Sequence, residues 1–266
     1  MVIDNVSCFD TLQHGLNALS NWASAWQLCV SIKKCCTLHI GARNLRHEYT
    51  INSSLLPSVT SYNDLGVLID CNLRFIDHYA CIVAKAHQRA ALILRCFKSR
   101  DSNILFRAFI VYVRPLLENC SPVWCPVYRT DVDLLEKVQR RFTKRLTGLR
   151  NLSYSERLCY LKTETLESRR LKMDLTMIFK ILHNYVDVTI ADFFTLSDTV
   201  QTRGHSLKLY KPKCNLNVRT FSFACRRIDC WNSLSNNCVT ASSVAIFKKY
   251  LNIINFDKFL LYSGCF

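Results

Sequence analysis

Residues Leu135–Arg150, "LEKVQRRFTKRLTGLR", combine an apolar stripe with a basic one, and this combination points to the fold class. Six Lys and Arg residues lie between Lys137 and Arg150, with no acidic residue among them. On a helical wheel of about 100° per residue, one arc holds Leu135, Val138, Phe142, Leu146 and Leu149. The opposite side holds Lys137, Arg140, Arg141, Lys144 and Arg145. The pattern predicts a helix that packs through one face and presents cations on the other.

The basic face of this helix has two interpretations. It can be a solvated surface that keeps the protein in solution, or a surface that contacts phosphate groups. Contacts with a phosphate backbone need charge and reach rather than a special spacing, so Lys and Arg would occupy the same positions in both cases. The spacing alone leaves both interpretations open.

Overall composition favours a helical protein with an anionic partner. The chain has 266 residues, 50% of them hydrophobic, which is ample for a sizeable core. Gly and Pro are scarce, at 6 and 5, which argues against a turn-dense sandwich or barrel. The 35 Lys and Arg residues exceed the 20 Asp and Glu residues, and the resulting charge of +15 favours polyanions such as nucleic acid or acidic membrane surfaces.

The cysteines and the apolar segments indicate a reducing, aqueous compartment. Fifteen cysteines occur without a C-x-x-C pair, so we expect buried thiols rather than a zinc site or a disulfide framework. The beginning, "MVIDNVSCFDTLQ", lacks the cationic start and apolar run of a secretory signal. Charged residues such as Arg107 and Arg114 interrupt the longest apolar stretches. We therefore expect an intracellular protein, nuclear or cytoplasmic, that is not secreted and has no membrane segment.

Periodicity along the chain predicts an α+β fold that is predominantly α-helical. An amphipathic helix is expected at 9–28, and short antiparallel strands follow to about residue 70. Long helices are expected at 78–97, at 103–120 with a stop near Pro115, from Thr130 or Asp131 to about Gly148, and at 165–186. Ser153 and Glu156 have capping-box spacing, the two prolines of "CSPVWCPVY" predict a turn, and two short helices end the chain. The predicted divisions are 1–75, 76–194, a loop or linker at 195–220, and a C-terminal helical segment at 221–266.

Familiar catalytic patterns are absent from the sequence. It contains no glycine-rich phosphate loop, no G-x-S-x-G and no H-E-x-x-H. The adjacent Asp77 and His78 fit a helix cap better than a catalytic dyad. We assign no catalytic residue and no metal ligand from these patterns.

Several segments, in order, resemble the reverse transcriptases of non-LTR retrotransposons of the LINE and jockey type. They are "LQHGLNALSNWASAWQLCVSIKKCCTLHIG", "VTSYNDLGVLIDCNLRFIDH", "VRPLLENCSPVWCP", "LLEKVQRRFTKRLTGL", "LSYSERLCYLKTETLESRRLKMDLTMIFKIL", "TRGH" and "FACRRIDCWNSLS". The resemblance runs from about Leu12 to Leu251. It covers the part of those RNA-directed DNA polymerases that lies after the catalytic aspartates.

The resemblance implies roles for particular residues. Residues 1–75 would be the end of a palm subdomain, and the rest a helical thumb with an appended helical region. Asp64, Leu65 and Gly66 would form the hairpin that contacts the primer end, and Lys34 would match a lysine of the preceding palm motif. The thumb of such a polymerase holds the template and primer, so the basic face containing Lys137 would meet RNA or an RNA/DNA hybrid.

The chain also departs from the family pattern. It contains no Ala-Asp-Asp, the motif whose carboxylates hold the Mg²⁺ ions of the family. Ser31, Asn119 and Ser235 stand where the family usually has Asn, Tyr and Pro. We therefore expect a truncated polymerase fragment that binds nucleic acid, holds no cofactor and does not polymerise. Two alternatives are a helical protein-interaction scaffold and an active polymerase whose N-terminal half is missing from the gene model.

Overall fold

The computed structural model describes residues 6–41, 44–197 and 204–262, and it is predominantly helical with three small two-stranded sheets. This confirms the α+β fold class with a helical majority. The chain divides into two compact units, Met1–His78 and Tyr79–Phe266. Thr202 and Arg203 of the family-like "TRGH" lie outside the described residues.

The first unit combines one long helix with short strands. Its elements are α1 (Val6–Ala25), a 3-10 helix (Ile32–Lys34), β1 (Thr37–Leu38), β2 (Thr50–Ile51), β3 (Ser54–Leu55), β4 (Ser58–Val59), β5 (Ser61–Asp64) and β6 (Val67–Asp70). The pairs β2–β3 and β5–β6 are antiparallel, but β1 pairs with β4 in parallel. The expectation of antiparallel strands throughout was therefore wrong for β1. The long connection from β1 to β4 contains the β2–β3 hairpin, and a connection of this length lets two strands run in the same direction.

Helix α1 uses only part of its apolar stripe for packing. Leu12 and Leu16 pack against a small core of Tyr49, Ile51 and Leu56. The side chain of Gln13 makes two hydrogen bonds to the backbone of Thr50, at 2.8 and 3.0 Å. The next turns of the predicted stripe are exposed, with Trp22 and Trp26 at 54% and 68% of their full accessibility. The predicted helix is therefore confirmed, but the two tryptophan side chains remain exposed, although Ala23 in the same turns is buried.

Among the described residues, the regular structure of the second unit is helical apart from one β-bridge. Its helices are α2 (Ile76–Cys96), which begins just before the division, α3 (Ser102–Tyr112), α4 (Ser121–Trp124), α5 (Arg129–Thr143), α6 (Tyr154–Tyr160), α7 (Leu166–Leu182), α8 (Ile190–Phe193), α9 (Asn217–Thr220), α10 (Phe223–Arg226), α11 (Ile228–Asn232), α12 (Asn236–Val239) and α13 (Val244–Ile253). Two 3-10 helices, Arg114–Leu117 and Asp257–Phe259, complete the set. The stop expected near Pro115 is confirmed, because α3 ends at Tyr112.

Local capping signals explain several helix boundaries. Ser153 and Glu156 form the predicted capping box, which starts α6. Tyr128, rather than Thr130 or Asp131, precedes α5, and this helix ends at Thr143 rather than near Gly148. The predicted turn at Cys120–Tyr128 contains the short helix α4, because a proline in the first helical turn loses no intrahelical hydrogen bond.

The described part of segment 195–220 is attached to the C-terminal helices. Leu196 and Leu209 form a β-bridge, and the indole N–H of Trp231 donates to the carbonyl of Leu207 at 2.8 Å. The side-chain amide of Asn232 both donates to and accepts from the backbone of Leu209, at 2.8 and 2.9 Å. The segment is irregular, as expected for a loop, but it contributes to the core around Trp231.

A buried ion triad joins three parts of the second unit. The carboxylate of Asp174, in α7, has no solvent exposure and accepts from Arg226 at 2.8 Å and from Arg227 at 3.0 Å. Arg226 also donates to the carbonyl of Pro122, in α4, at 2.8 Å. Since a buried charge is tolerated only when it is paired, these contacts fix α4 and α10 against α7.

We expect Asp174→Asn to destabilise the protein by about 3–5 kcal/mol, because it leaves two largely buried guanidinium groups without a counter-charge. The measurement is urea unfolding followed by circular dichroism. Asp229→Asn is the matched control: it removes the partner of Lys211 in an exposed pair, and it should cost less than about 1 kcal/mol. Equal effects of the two substitutions would contradict the structural role of the triad.

Candidate nucleic-acid interface

The apolar residues of helix α5 and of the segment after it point into the core. Leu135, Val138 and Phe142 are buried, as are Leu146 and Leu149 after the helix. The ring of Phe142 stacks on that of Phe109, in α3, with centroids 4.7 Å apart. The predicted apolar arc is therefore confirmed.

Three buried polar residues on α5 also fix its orientation. The carboxylate of Glu136 accepts from the hydroxyl of Tyr154 and, at 3.0 Å, from the backbone N–H of Leu166. The side-chain N–H of Gln139 donates to the Tyr154 hydroxyl at 3.0 Å and to the carbonyl of Glu164 at 3.1 Å. Thr143 donates to the carbonyl of Gln139 at 2.9 Å. These contacts tie α5 to α6 and to the start of α7.

The buried position of Glu136 disfavours the charged form of its carboxyl group. Burial raises the pKa of its carboxyl group, while the hydrogen bond from Tyr154 and the nearby Arg170 act in the opposite direction. The sequence pattern of α5 does not mark Glu136 or Gln139 as buried. The partners of both residues lie 15 to 30 positions further along the chain, so no pattern within the helix reveals them.

Four of the five predicted phosphate-contacting residues are exposed. These are Lys137 and Arg141 on α5, and Lys144 and Arg145 just beyond its end. Within the described ranges, no ion pair joins any of the four to a carboxylate. Their charges are therefore directed to solvent.

Arg140 differs from the other four cations. It is half-buried, and its guanidinium lies 3.4 Å from the carboxylate of Asp133. The same group lies 5.1 Å from the ring centre of Tyr154 and 4.5 Å from that of Tyr262. Cation–π contacts and an ion pair occupy this side chain within the fold.

Cations on α5 and just after its end act on a histidine of α2. Burial lowers the pKa of His87, and the positive charges of Arg141, Lys137 and Arg145 lower it further. The neutral imidazole is therefore the favoured form. A positive field of this kind attracts anions.

The residues expected to contact a primer lie in the first unit. Asp64 and Val67 close the β5–β6 hairpin, and Leu65 and Gly66 at its tip have positive φ angles of 47° and 89°. Such angles are typical of the tight turn that joins two antiparallel strands. Leu65 is 90% exposed.

Lys34 lies close to the same hairpin. It is exposed at the end of the 3-10 helix Ile32–Lys34, and the hydroxyl of Tyr62, in β5, lies 3.5 Å from its carbonyl oxygen. The structure thus brings Lys34 and the strand leading to Asp64 together within one unit.

The described residues offer neither a metal centre nor a membrane-spanning helix. No group of three or more His, Cys, Asp or Glu side chains is placed there to hold a metal ion. In the same ranges, no helix combines the length and the apolar character needed to cross a bilayer.

Comparison with known proteins gives a partial relationship. The chain is similar to a retrotransposon polymerase. It is 26% identical over 147 residues to the RNA-directed DNA polymerase from the mobile element jockey of Drosophila funebris, a match that covers 54% of this chain and 16% of the polymerase. An uncharacterized protein of Caenorhabditis elegans is 28% identical over 134 residues, which is 49% of this chain and 64% of the relative.

The chain thus spans less than two thirds of each of these relatives. No protein-family model matches it. No solved structure matches it either.

The lowered pKa of His87 predicts a pH dependence of stability. Near pH 6 the unfolded chain binds more protons at this residue than the folded one, so stability is lost as pH falls below about 6.5. Between pH 7.5 and pH 5.5 the wild type should lose more unfolding free energy than His87→Gln, measured by urea titration at each pH. Identical losses in the two proteins would show that His87 does not titrate in the field of Arg141.

Proposed function

We propose that this chain is a nucleic-acid-binding segment derived from a retrotransposon reverse transcriptase, and that it binds RNA or an RNA/DNA hybrid through the basic face of α5. We define the basic face as Lys137, Arg141, Lys144 and Arg145. The observation that carries the proposal is their shared exposure without a carboxylate partner among the described residues, on a helix whose other side is fixed by Glu136 and Gln139.

The physical case rests on preorganised charge. Cations that have no internal partner keep their full interaction energy for an external anion, and each phosphate contact releases counterions from the nucleic acid. Because α5 is held by buried hydrogen bonds, its backbone needs little ordering when the basic face binds. The formal charge of +15 adds long-range attraction. The partial similarity to the jockey polymerase supports the class of ligand.

The proposal extends to the first unit. Lys34 and the exposed hairpin tip at Asp64, Leu65 and Gly66 would provide a second contact with the end of a primer strand. Because the 266 residues contain no Ala-Asp-Asp, we propose binding without polymerisation for this chain, in which no residue is assigned to Mg²⁺. In this proposal the thumb-like part is 76–194, and the binding surface belongs to it.

One feature favours the competing role of a protein-interaction scaffold. Trp22, on α1, and Trp26, just after its end, are exposed with ring centroids 6.4 Å apart. Exposed tryptophans are typical anchors of protein interfaces. This role makes no use of the basic face, so substitutions on α5 distinguish the two functions.

Charge reversal on the basic face tests the function directly. The triple variant Lys137→Glu, Arg141→Glu, Lys144→Glu should weaken binding to an RNA/DNA hybrid by roughly 100-fold or more and flatten the dependence of log K on log salt concentration. Fluorescence anisotropy across a salt series measures both quantities.

The matched control for charge reversal is Lys213→Glu, Lys248→Glu, Lys249→Glu, which changes the net charge equally at exposed lysines outside α5. The control should keep most of the affinity. Equal losses of affinity in the two triple variants would show that binding depends on net charge rather than on the basic face. Unchanged binding in the α5 variant would favour the scaffold role.

A second pair of variants separates Arg141 from its neighbour. Arg141→Gln should lower the salt slope by about 1, the value for one lost phosphate contact. Arg140→Gln should leave the slope unchanged and instead lower the urea midpoint, because its guanidinium contacts Asp133 and two tyrosine rings. A larger change of slope in Arg140→Gln than in Arg141→Gln would contradict the assignment.

A further inference from the structure

A groove of about 300 Å³ lies between α2 and α5, beside the basic face. Ala91 and Leu94, from α2, and Phe142, from α5, provide an apolar lining. Arg141, Arg145 and His87 also line the groove and bring the polar groups. All of these residues belong to the second unit.

Small side chains on α2 help to keep this groove open. Alanine stands at both 90 and 91, where the groove is lined, so α2 offers little side-chain volume to fill the space next to Phe142. The indentation is therefore encoded in the sequence, and a larger residue at position 91 would occupy it.

The chemistry of the groove suits a flat apolar group that carries negative charge at its edge. A blunt duplex presents phosphates and sugars on its outside, while its bases remain stacked inside. A base that is splayed out of a strand offers an apolar face together with the phosphates on either side of it. Guanidinium groups can stack on such a base as well as contact a phosphate, so Arg141 and Arg145 suit both the base and its flanking phosphates.

The charge balance of the groove supports an anionic occupant. His87 is held in its neutral form by burial and by the surrounding cations. The described residues place no carboxylate in an ion pair with Arg141 or Arg145. A purely apolar ligand would leave these charges unused, whereas nucleotide phosphates would pair with them.

We propose that the α2–α5 groove receives one unpaired nucleobase of the nucleic acid whose phosphates contact the basic face. This inference rests on the proposed function and adds a preference to it. The chain should favour nucleic acid with an unpaired nucleotide over a blunt duplex.

The test compares a blunt RNA/DNA hybrid with the same hybrid carrying a single-nucleotide bulge, both fluorescently labelled. Stacking of one base contributes about 1–3 kcal/mol, so the wild type should bind the bulged hybrid at least about fivefold more tightly. Ala91→Leu, which fills the groove without changing charge, should lose this preference and keep its affinity for the blunt hybrid. Ala84→Leu, at an exposed position of the same helix, should behave as the wild type.

A measurement on the wild type alone guards against misfolding of the groove variant. With 2-aminopurine as the bulged base, binding should change the fluorescence emission, while 2-aminopurine within the paired region should change little. Equal affinities for the two hybrids, or a preference that survives Ala91→Leu, would overturn the inference and leave the proposed function standing. Absence of binding to either hybrid at low salt would overturn both.

Discussion

The buried carboxylate of Asp174 is the constraint on which the helical unit depends. A charge with no access to water must be paired within the fold, and Asp174 is paired with two successive arginines, Arg226 and Arg227. Because Arg226 also contacts the carbonyl of Pro122, the triad connects α7 to segments about 50 residues away on either side. Glu118 performs a similar task nearer the start of the unit, accepting from Arg169 at 2.5 and 3.1 Å.

These ion pairs and hydrogen bonds give a structural meaning to the family-like motifs. Asp174 lies in the "RRLKMDL" part of one segment, the paired arginines in "ACRRIDCWN", and Glu136 in "LEKVQRR". Their polar side chains lie in the interior and bind one another or the backbone. These residues of the motifs thus hold helices together. The exposed cations of α5 take no part in these contacts and face the solvent.

Local physics made much of the fold predictable. The 3.6-residue period identified the apolar arc of α5, and the spacing of Ser153 and Glu156 identified the start of α6. Long-range partners were not predictable in this way. The parallel pairing of β1 with β4 depends on a strand some 20 residues away, and the burial of Gln139 depends on Tyr154 and Glu164. For the same reason the sequence could not distinguish Arg140, which is engaged by Asp133 and Tyr262, from the exposed Arg141.

We propose that α5, held by the buried hydrogen bonds of Glu136 and Gln139, meets nucleic acid through its basic face, and photo-crosslinking tests this most directly. An RNA/DNA hybrid carrying photoreactive nucleotides would be irradiated with the purified chain, and the crosslinked peptides identified by mass spectrometry. Our account predicts that the crosslinks concentrate in residues 76–96 and 129–150, which contain α2 and the basic face. Crosslinks confined to α1 around Trp22 and Trp26, or to α13, with none on α5, would contradict it.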